Sequence, residues 1–485
     1  MCYNRIEVIY VNRPNILLIM ADQFRGDCLG IDGHPDVLTP NLDDLAAGGI
    51  RFTNAYSACP TCIPARAALY TGLSQEHHGR VGYEDGQPWR YAHTMAGELS
   101  RAGYQTQCVG KLHVHPLRNR VGFDAVELHD GFLHYYRKAN LPYAQSQFVA
   151  DDYYHFLRTQ LGAERDITET GIDCNSWLSR PWPMEERFHP TNWVTDRSID
   201  FLRRRDRDVP FFLMASYVRP HPPFDAPQCY FDLYRDRDLR APASGDWDDE
   251  ERLRAGGRFI ASTSGPIDPK LVREAQIGYY ACITQLDFQI GRLIMALIDD
   301  DLLDNTIVVF TSDHGELLCD HHLYRKTLPY QGAVRVPLIV RGLPGRRGET
   351  DPRVAELRDV MPTLLSLAGA ELPPMDGLNL LGEETRAWLH GEHAGGGDDS
   401  NHYIVTQTDK YVWFSKSGRE QYFHLATDPQ EAHDRIADPA CQARIAELRA
   451  HLIESLRRRE EGYVQNERLV PGQKARNVLS TLPRE

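Results

Sequence analysis

Residues 57–72 read SACPTCIPARAALYTG, and the rest of the chain is organised around them. Pro64 can open a helix, because the N–H it lacks would go unpaired in a first turn. Ala65, Arg66, Ala67, Ala68 and Leu69 are good helix formers, and Gly72 is a natural stop. Cys62 therefore stands just ahead of a helix N-terminus, where free N–H groups and the macrodipole favour an anion. Arg66, one turn in, adds a fixed cationic fork. A small reactive side chain, a helix start and an arginine together describe an anion-handling nucleophile. Two plainer readings stand beside it. Cys59 and Cys62 form a C-x-x-C, which fits a redox pair or half of a zinc site. A buried cysteine beside a capped helix needs no chemistry at all.

Working outward, residues 15–20, NILLIM, form a short apolar run closed by Ala21-Asp22-Gln23. This is the pattern of a buried parallel strand that delivers a carboxylate at its C-terminal end. Residues 104–109 predict a second strand, ending in Gly110-Lys111-Leu112-His113. Lys111 and His113, two apart on extended chain, point the same way. Residues 209–217, VPFFLMASY, predict a third, running into Val218-Arg219-Pro220-His221-Pro222-Pro223-Phe224. The prolines there fix the backbone around His221. Residues 306–311, TIVVFT, predict a fourth, followed by Ser312-Asp313-His314-Gly315-Glu316, and residues 336–340 a fifth. Helical stretches at 94–102, 191–205 and 269–300 alternate with these strands. Such alternation predicts an α/β fold, in which ligands gather at the carboxyl edge of the sheet. Taken singly, an Asp after a strand is usually a turn cap and a Lys usually surface; four such clusters on one edge argue otherwise.

The 485 residues suffice for a large core and two or three structural units. Apolar residues make up 42% and charged residues 25%, an ordinary globular composition. A net charge of -14 argues against a nucleic-acid partner, so an anionic substrate needs a local pocket of Arg, Lys, His and metal. The ten cysteines are scattered and show no disulfide framework. No signal-like apolar core precedes Pro14, and no run of about eighteen apolar residues marks a membrane span. The expectation is a reduced, cytoplasmic protein without membrane contact.

A catalytic unit is expected over residues 1–380, with insertions at 125–190 and 225–268 read as loops. The acidic run at 246–251 reads as solvated surface. Residues 393–401, HAGGGDDSN, read as a linker or exposed loop. Short strands at 403–406, 410–415 and 421–425 and a helix at 445–459 predict a C-terminal α+β subdomain, 381–485. Its tail, from 466 onward, has little core pattern and is expected to wrap a neighbouring subunit in a homodimer or tetramer.

Cys62-Ile63-Pro64-Ala65-Arg66, followed by Leu69, Thr71 and Gly72, resembles the signature of the type I, formylglycine-dependent sulfatases of the alkaline phosphatase superfamily. The resemblance is close to the arylsulfatase and phosphonate monoester hydrolase branch. Other segments carry the same resemblance in the family's order. Thr39-Pro40-Asn41-Leu42-Asp43, with Leu45 and Gly48-Gly49-Ile50-Arg51-Phe52, resembles its TPNLD scaffold segment. Gly110-Lys111-Leu112-His113 resembles its G-K-x-H, and the segment around His221 its P-H-x-P-F. Ser312-Asp313-His314-Gly315-Glu316, Lys326 and Arg335-Val336-Pro337 resemble its second half, and Asp287 with Gly291 a scaffold motif. The resemblance runs over most of residues 14–435 and is weakest in the insertions. It implies an alkaline-phosphatase-like α/β/α sandwich with a large mixed central sheet, then a smaller C-terminal antiparallel sheet.

The resemblance also implies chemistry. A formylglycine-generating enzyme oxidises the cysteine of this motif, and the hydrated aldehyde attacks sulfur. One divalent ion would be held by Asp22, Gln23, Asp313, His314 and residue 62. Oxygen donors suit calcium, with manganese or magnesium as alternatives. Gln23 stands where the family most often has a second Asp, which lowers the ligand charge by one. Arg66 would orient the diol, and Lys111, His221 and Lys326 would spread over the sulfuryl oxygens. His221 or Lys326 would protonate the leaving alcohol, and His113 would help a hydroxyl of residue 62 lose its proton as sulfate departs. The expected activity is that of a sulfuric ester hydrolase acting on small, aryl sulfate-like monoesters. A phosphonate monoester or phosphodiester hydrolase is the rival, though those relatives tend to carry Tyr and Thr where Lys111 and His113 stand. A non-catalytic binding protein on this scaffold would be expected to lack Cys62, Asp22 or Asp313, and all three are present.

Overall fold

The computed structural model describes residues 13–131, 149–249, 260–265, 268–395 and 400–483. The central sheet holds β1 (Asn15–Asp22), β2 (Gly49–Tyr56), β3 (Gln105–Gly110), β4 (Ala125–Leu128), β5 (Phe211–Pro220), β6 (Thr306–Ser312), β7 (Leu338–Arg341) and β8 (Glu349–Glu356). Their order is β4-β3-β5-β1-β6-β7-β2-β8. Only β7 runs against its neighbours, so the sheet is mixed. β1, β3, β5 and β6 all point the same way and deliver their ends to one edge.

β1 lies between β5 and β6 and is buried along its whole length. Its alternation explains the layers. Leu17, Ile19 and Ala21 face one core, shared with helices Pro40–Ala47, Pro190–Arg204 and Pro269–Asp299. Ile16, Leu18 and Met20 face the other, shared with helices Cys62–Thr71, Met95–Arg101 and Val360–Ala368. Two apolar faces on one strand require a helical layer on each side, and the expected α/β/α sandwich is what forms.

The helix Pro269–Asp299 is long and apolar enough, by length and composition, to cross a membrane. Here it is a core helix, buried without a break from Ala275 to Asp287 and then at Ile290, Leu293, Ala296 and Leu297 on the face toward the first layer. Asp287 ties it to the start of Pro40–Ala47, accepting from Leu42 N at 2.8 Å, Asn41 Nδ2 at 2.8 Å and Asn41 N at 3.2 Å. A Cβ on Gly291 would lie 2.3 Å from Asn41 Oδ1, so this glycine lets the two helices approach at the same seat. Asp287→Ala strands these buried donors and should cost about 3 kcal/mol, read from urea unfolding. Activity per folded molecule should hold.

A four-stranded antiparallel sheet follows, ordered β12-β11-β10-β9 from β9 (Leu389–His393), β10 (Asn401–Val405), β11 (Lys410–Phe414) and β12 (Glu420–Phe423). One face packs on Tyr56, Leu317, Leu328 and Tyr330 of the catalytic unit, and the other on helix Gln442–Leu456.

Several expectations are corrected. Residues 393–401 are not simply a loop: His393 closes β9 and Asn401 opens β10, while 396–399 lie outside the described residues. The span 125–190 is not all loop, because Ala125–Leu128 is an edge strand and Tyr153, Tyr154 and Leu157 of helix Asp152–Leu161 enter the main core. Within the acidic run, Trp247 and Asp248 turn inward. Trp247 Nε1 donates to Glu431 O at 2.6 Å and Asp248 pairs with His321 at 3.1 Å. Glu250 and Glu251 lie outside the described residues. Apart from these corrections, part of the tail packs on its own chain, where Val81 N donates to Asn477 O and Leu479 N to Gly79 O.

Candidate active site

β2 leads into Ser57, and the loop after it ends at Thr61, the extended residue that caps helix Cys62–Thr71. The helix begins at Cys62 itself, two residues earlier than Pro64 implies, and every residue of it is buried. β1 brings Asp22 to the same edge, β6 brings Asp313 and His314, β3 brings Lys111 and β5 brings His221. Gly110 makes Lys111's placement possible. Its φ is +103°, and a Cβ there would lie 1.9 Å from Ser216 O.

The donors of Asp22, Cys62, Asp313 and His314 lie within 4.8 Å of one another. Cys62 Sγ is 3.3 Å from His314 Nε2, 3.8 Å from Asp22 Oδ1 and 3.6 Å from Lys111 Nζ. His314 Nδ1 lies 3.0 Å from Gly315 O and donates to it, so Nε2 turns a lone pair toward the carboxylates. Burial keeps this ring neutral by lowering its pKa. Burial alone would raise the pKa of Asp22, but Lys111, His221, His314 and Arg66 outweigh it and hold the carboxyl well below the usual range. Two fully buried carboxylates, a ring lone pair and residue 62 make a donor set that fits one divalent cation.

Arg66 acts chiefly as a brace. Its Nε donates to Asp313 Oδ2 at 3.1 Å, and its Nη1 to Lys111 O at 2.8 Å, Ser216 Oγ at 3.2 Å and Tyr70 OH at 3.2 Å. Nη2 lies 3.6 Å from Asp22 Oδ2. Lys111 Nζ pairs with Asp22. Lys326 Nζ donates to Gln23 Oε1 at 2.5 Å and lies 2.8 Å from His221 Nε2. An ammonium has only protons to give, so His221 Nε2 accepts from it, while Nδ1–H donates to Pro222 O at 2.8 Å. Burial and Lys326 lower the His221 pKa well below its ordinary value. Of the two, Lys326 is the hydrogen-bond donor here. His113 sits in a left-handed conformation, φ 57°, with its N–H donating to Asp130 Oδ1 at 3.0 Å.

All the residues expected from the sequence lie at this edge, but of the five expected metal ligands Gln23 turns its side-chain oxygen to Lys326 and its amide to Glu316, while Asp22, Cys62, Asp313 and His314 bring theirs together. Sequence reading missed Glu316, which accepts from the Gln23 amide, and Asp130, which holds the backbone at both Leu112 and His113. Glu316 sits inside the quoted motif, so its signal was present; Asp130 follows an edge strand and had none. Above the cluster opens a cavity of about 720 Å³, whose walls include Tyr83, His115, Leu117, Val218, Pro222 and Arg325. Cys59 is buried within that loop.

Burial, seconded by Asp22, raises the pKa of the Cys62 thiol. Any unmodified fraction should therefore alkylate with iodoacetamide at least about 10-fold more slowly than free cysteine at neutral pH. The rate should rise as the pH climbs beyond the ordinary thiol range.

A mixed sheet with buried acids, imidazole and amines at its carboxyl edge, and a nucleophile-bearing helix beside them, defines a hydrolase of the alkaline phosphatase type. The sulfatase family model matches residues 14–370, and the chain belongs to that family. An arylsulfatase of Clostridium perfringens is 48% identical over 95% of this chain and 98% of its own length. A multifunctional alkaline phosphatase superfamily protein of Trinickia caryophylli is 30% identical over 89% of this chain and 93% of its own. The crystal structure of a phosphonate monoester hydrolase of Agrobacterium radiobacter superposes with a TM-score of 0.76 at 28% identity, covering 92% of this chain and 95% of that one. The protein is a sulfuric ester hydrolase.

Proposed function

We propose that the protein cleaves aryl sulfate-like monoesters with formylglycine at position 62 and one divalent ion, calcium in preference to manganese or magnesium. The observation that carries this reading is Cys62 at a buried helix start, within 4.8 Å of the ligand atoms of Asp22, Asp313 and His314. Formylglycine hydrate would supply an oxygen nucleophile with a second hydroxyl on the same carbon, and the ion would lower a hydroxyl pKa. The other work falls to the chain's own groups. Lys111 and Lys326 flank residue 62 and bind sulfuryl oxygens. Arg66 holds Asp313 in place, and His113 stands on the cavity side. Lys326, backed by His221, holds the proton for the leaving oxygen.

Lys326→Ala should lower kcat by about 10²-fold, with a smaller loss for 4-nitrophenyl sulfate than for phenyl sulfate. A better leaving group needs less help from an acid.

Two measurements test the whole reading. The mass of the peptide holding residue 62 should show conversion to formylglycine when a formylglycine-generating enzyme is co-expressed. Turnover of an aryl sulfate should exceed that of a matched aryl phosphonate ester, because amine and imidazole occupy the Lys111 and His113 positions. A clear preference for the phosphonate would reverse the assignment.

A further inference from the structure

A second group of ligating side chains lies outside the active site, on the C-terminal sheet. β9 and β10 pair with His402 opposite Glu392 and Ile404 opposite His390. His390 and Glu392 are two apart on one strand, so they share a face, and His402 joins them across the ladder. His390 Nε2 lies 3.3 Å from His402 Nδ1, and His402 Nδ1 lies 3.7 Å from Glu392 Oε2. All three ligand atoms fall within 4.8 Å of one another.

We propose that His390, Glu392 and His402 form a second metal site that takes a divalent transition-metal ion, zinc first, with its fourth position open to the adjoining cavity. Two nitrogens about 2.0–2.1 Å from a tetrahedral zinc stand about 3.3–3.4 Å apart. The His390–His402 spacing matches that edge, and it is long for a hydrogen bond between rings, whose usual length is about 2.9–3.0 Å. Two imidazoles and one carboxylate, with one position open, suit zinc better than calcium.

The surroundings support the same reading. Arg459 Nη1 donates to Glu392 Oε1 at 2.7 Å and Oε2 at 2.9 Å, orienting the carboxylate as an outer partner orients a ligand. The charge of Arg459 is already met by Glu461, at 2.7 Å from Nη2, so the arginine does not leave the site with a bare positive charge. A cavity of about 370 Å³ adjoins the cluster, and Ser74, Gln75, Arg358, His390, Glu392 and Arg459 are among its walls. Glu392 N also donates to Ala58 O at 2.7 Å, so an ion here would brace the loop that leads to Cys62.

The test is zinc content after dialysis, with cobalt(II) as a spectroscopic probe, in the intact enzyme and in three variants. Wild type should retain an equivalent of zinc that His314→Asn also retains and that His390→Asn and His402→Asn lose. Cobalt should give visible absorption of tetrahedral strength in the first two proteins only. Affinity in His390→Asn should fall on the order of 100-fold. His390 is half-buried, so this variant stays informative if His402→Asn folds poorly. Zinc should raise the melting temperature of wild type but not of His390→Asn. Equal retention by His390→Asn would mark an adventitious ion, and no retention by wild type would equally overturn the proposal.

Discussion

Cys62→Ser is expected to lose multiple turnover on aryl sulfates by on the order of 10³-fold or more, with product limited to at most one equivalent per site. Serine keeps an oxygen in place beside Asp22 and His314, so substrate should still bind. It offers one oxygen, however, and once that oxygen is sulfated, release requires water to attack sulfur in a closed, buried site. The aldehyde hydrate escapes this, because its second hydroxyl gives an internal route back to the aldehyde. Cys59→Ser should change activity by less than about 2-fold, since its sulfur is outside the ligand cluster. The decisive comparison is turnover against the measured state of residue 62. Full multiple turnover in protein whose residue 62 is wholly unmodified cysteine would falsify the formylglycine assignment.

Asp313→Ala is expected to remove activity by a comparable factor, and stripping the metal to do so reversibly. Asp313 Oδ1 accepts the N–H groups of Gln23 at 3.1 Å and His314 at 3.0 Å, while Oδ2 takes Arg66 Nε at 3.1 Å. Its loss removes one of two carboxylates from the donor set and leaves the fully buried Arg66 with a weaker counter-charge. A buried pair broken on one side costs about 3–5 kcal/mol. The variant should therefore unfold cooperatively but at lower urea, and kcat should fall on the order of 10³-fold or more. Exhaustive chelation should abolish wild-type turnover, and added calcium should restore it. Unchanged turnover with metal well below one equivalent would remove the ion from the mechanism. The two losses separate cleanly, because chelation should leave the mass of the residue-62 peptide unaltered.

Much of this protein was legible in one dimension. The short apolar runs at β1, β5 and β6 announce strands buried on both faces, and each ends beside residues that meet at the candidate site. Parallel strands put those ends on one edge, so spacing along the chain became proximity in space. Strands away from the sheet's centre were harder. β8 reads ETDPRVAE and is half exposed, and β4 is only four residues long, so neither carries a run of apolar residues. β9 was hidden for a different reason: its LHGEH is polar because its side chains meet partners, His402 and Arg459, that lie elsewhere in the sequence.

By itself the sequence determined the family, the helix start at Cys62, the alternation of strands and helices, and the identity of the acids, amines and imidazoles at the strand ends, because these follow from local pattern and residue chemistry. Only the tertiary structure decided which of them touch. It turned Arg66 onto Asp313 as a brace, made Lys326 the donor to His221, and set His390, Glu392 and His402 together on one sheet face. The reason is physical: hydrogen-bond direction, proton position and ligand spacing depend on burial and on neighbours from distant segments, which chain order does not encode.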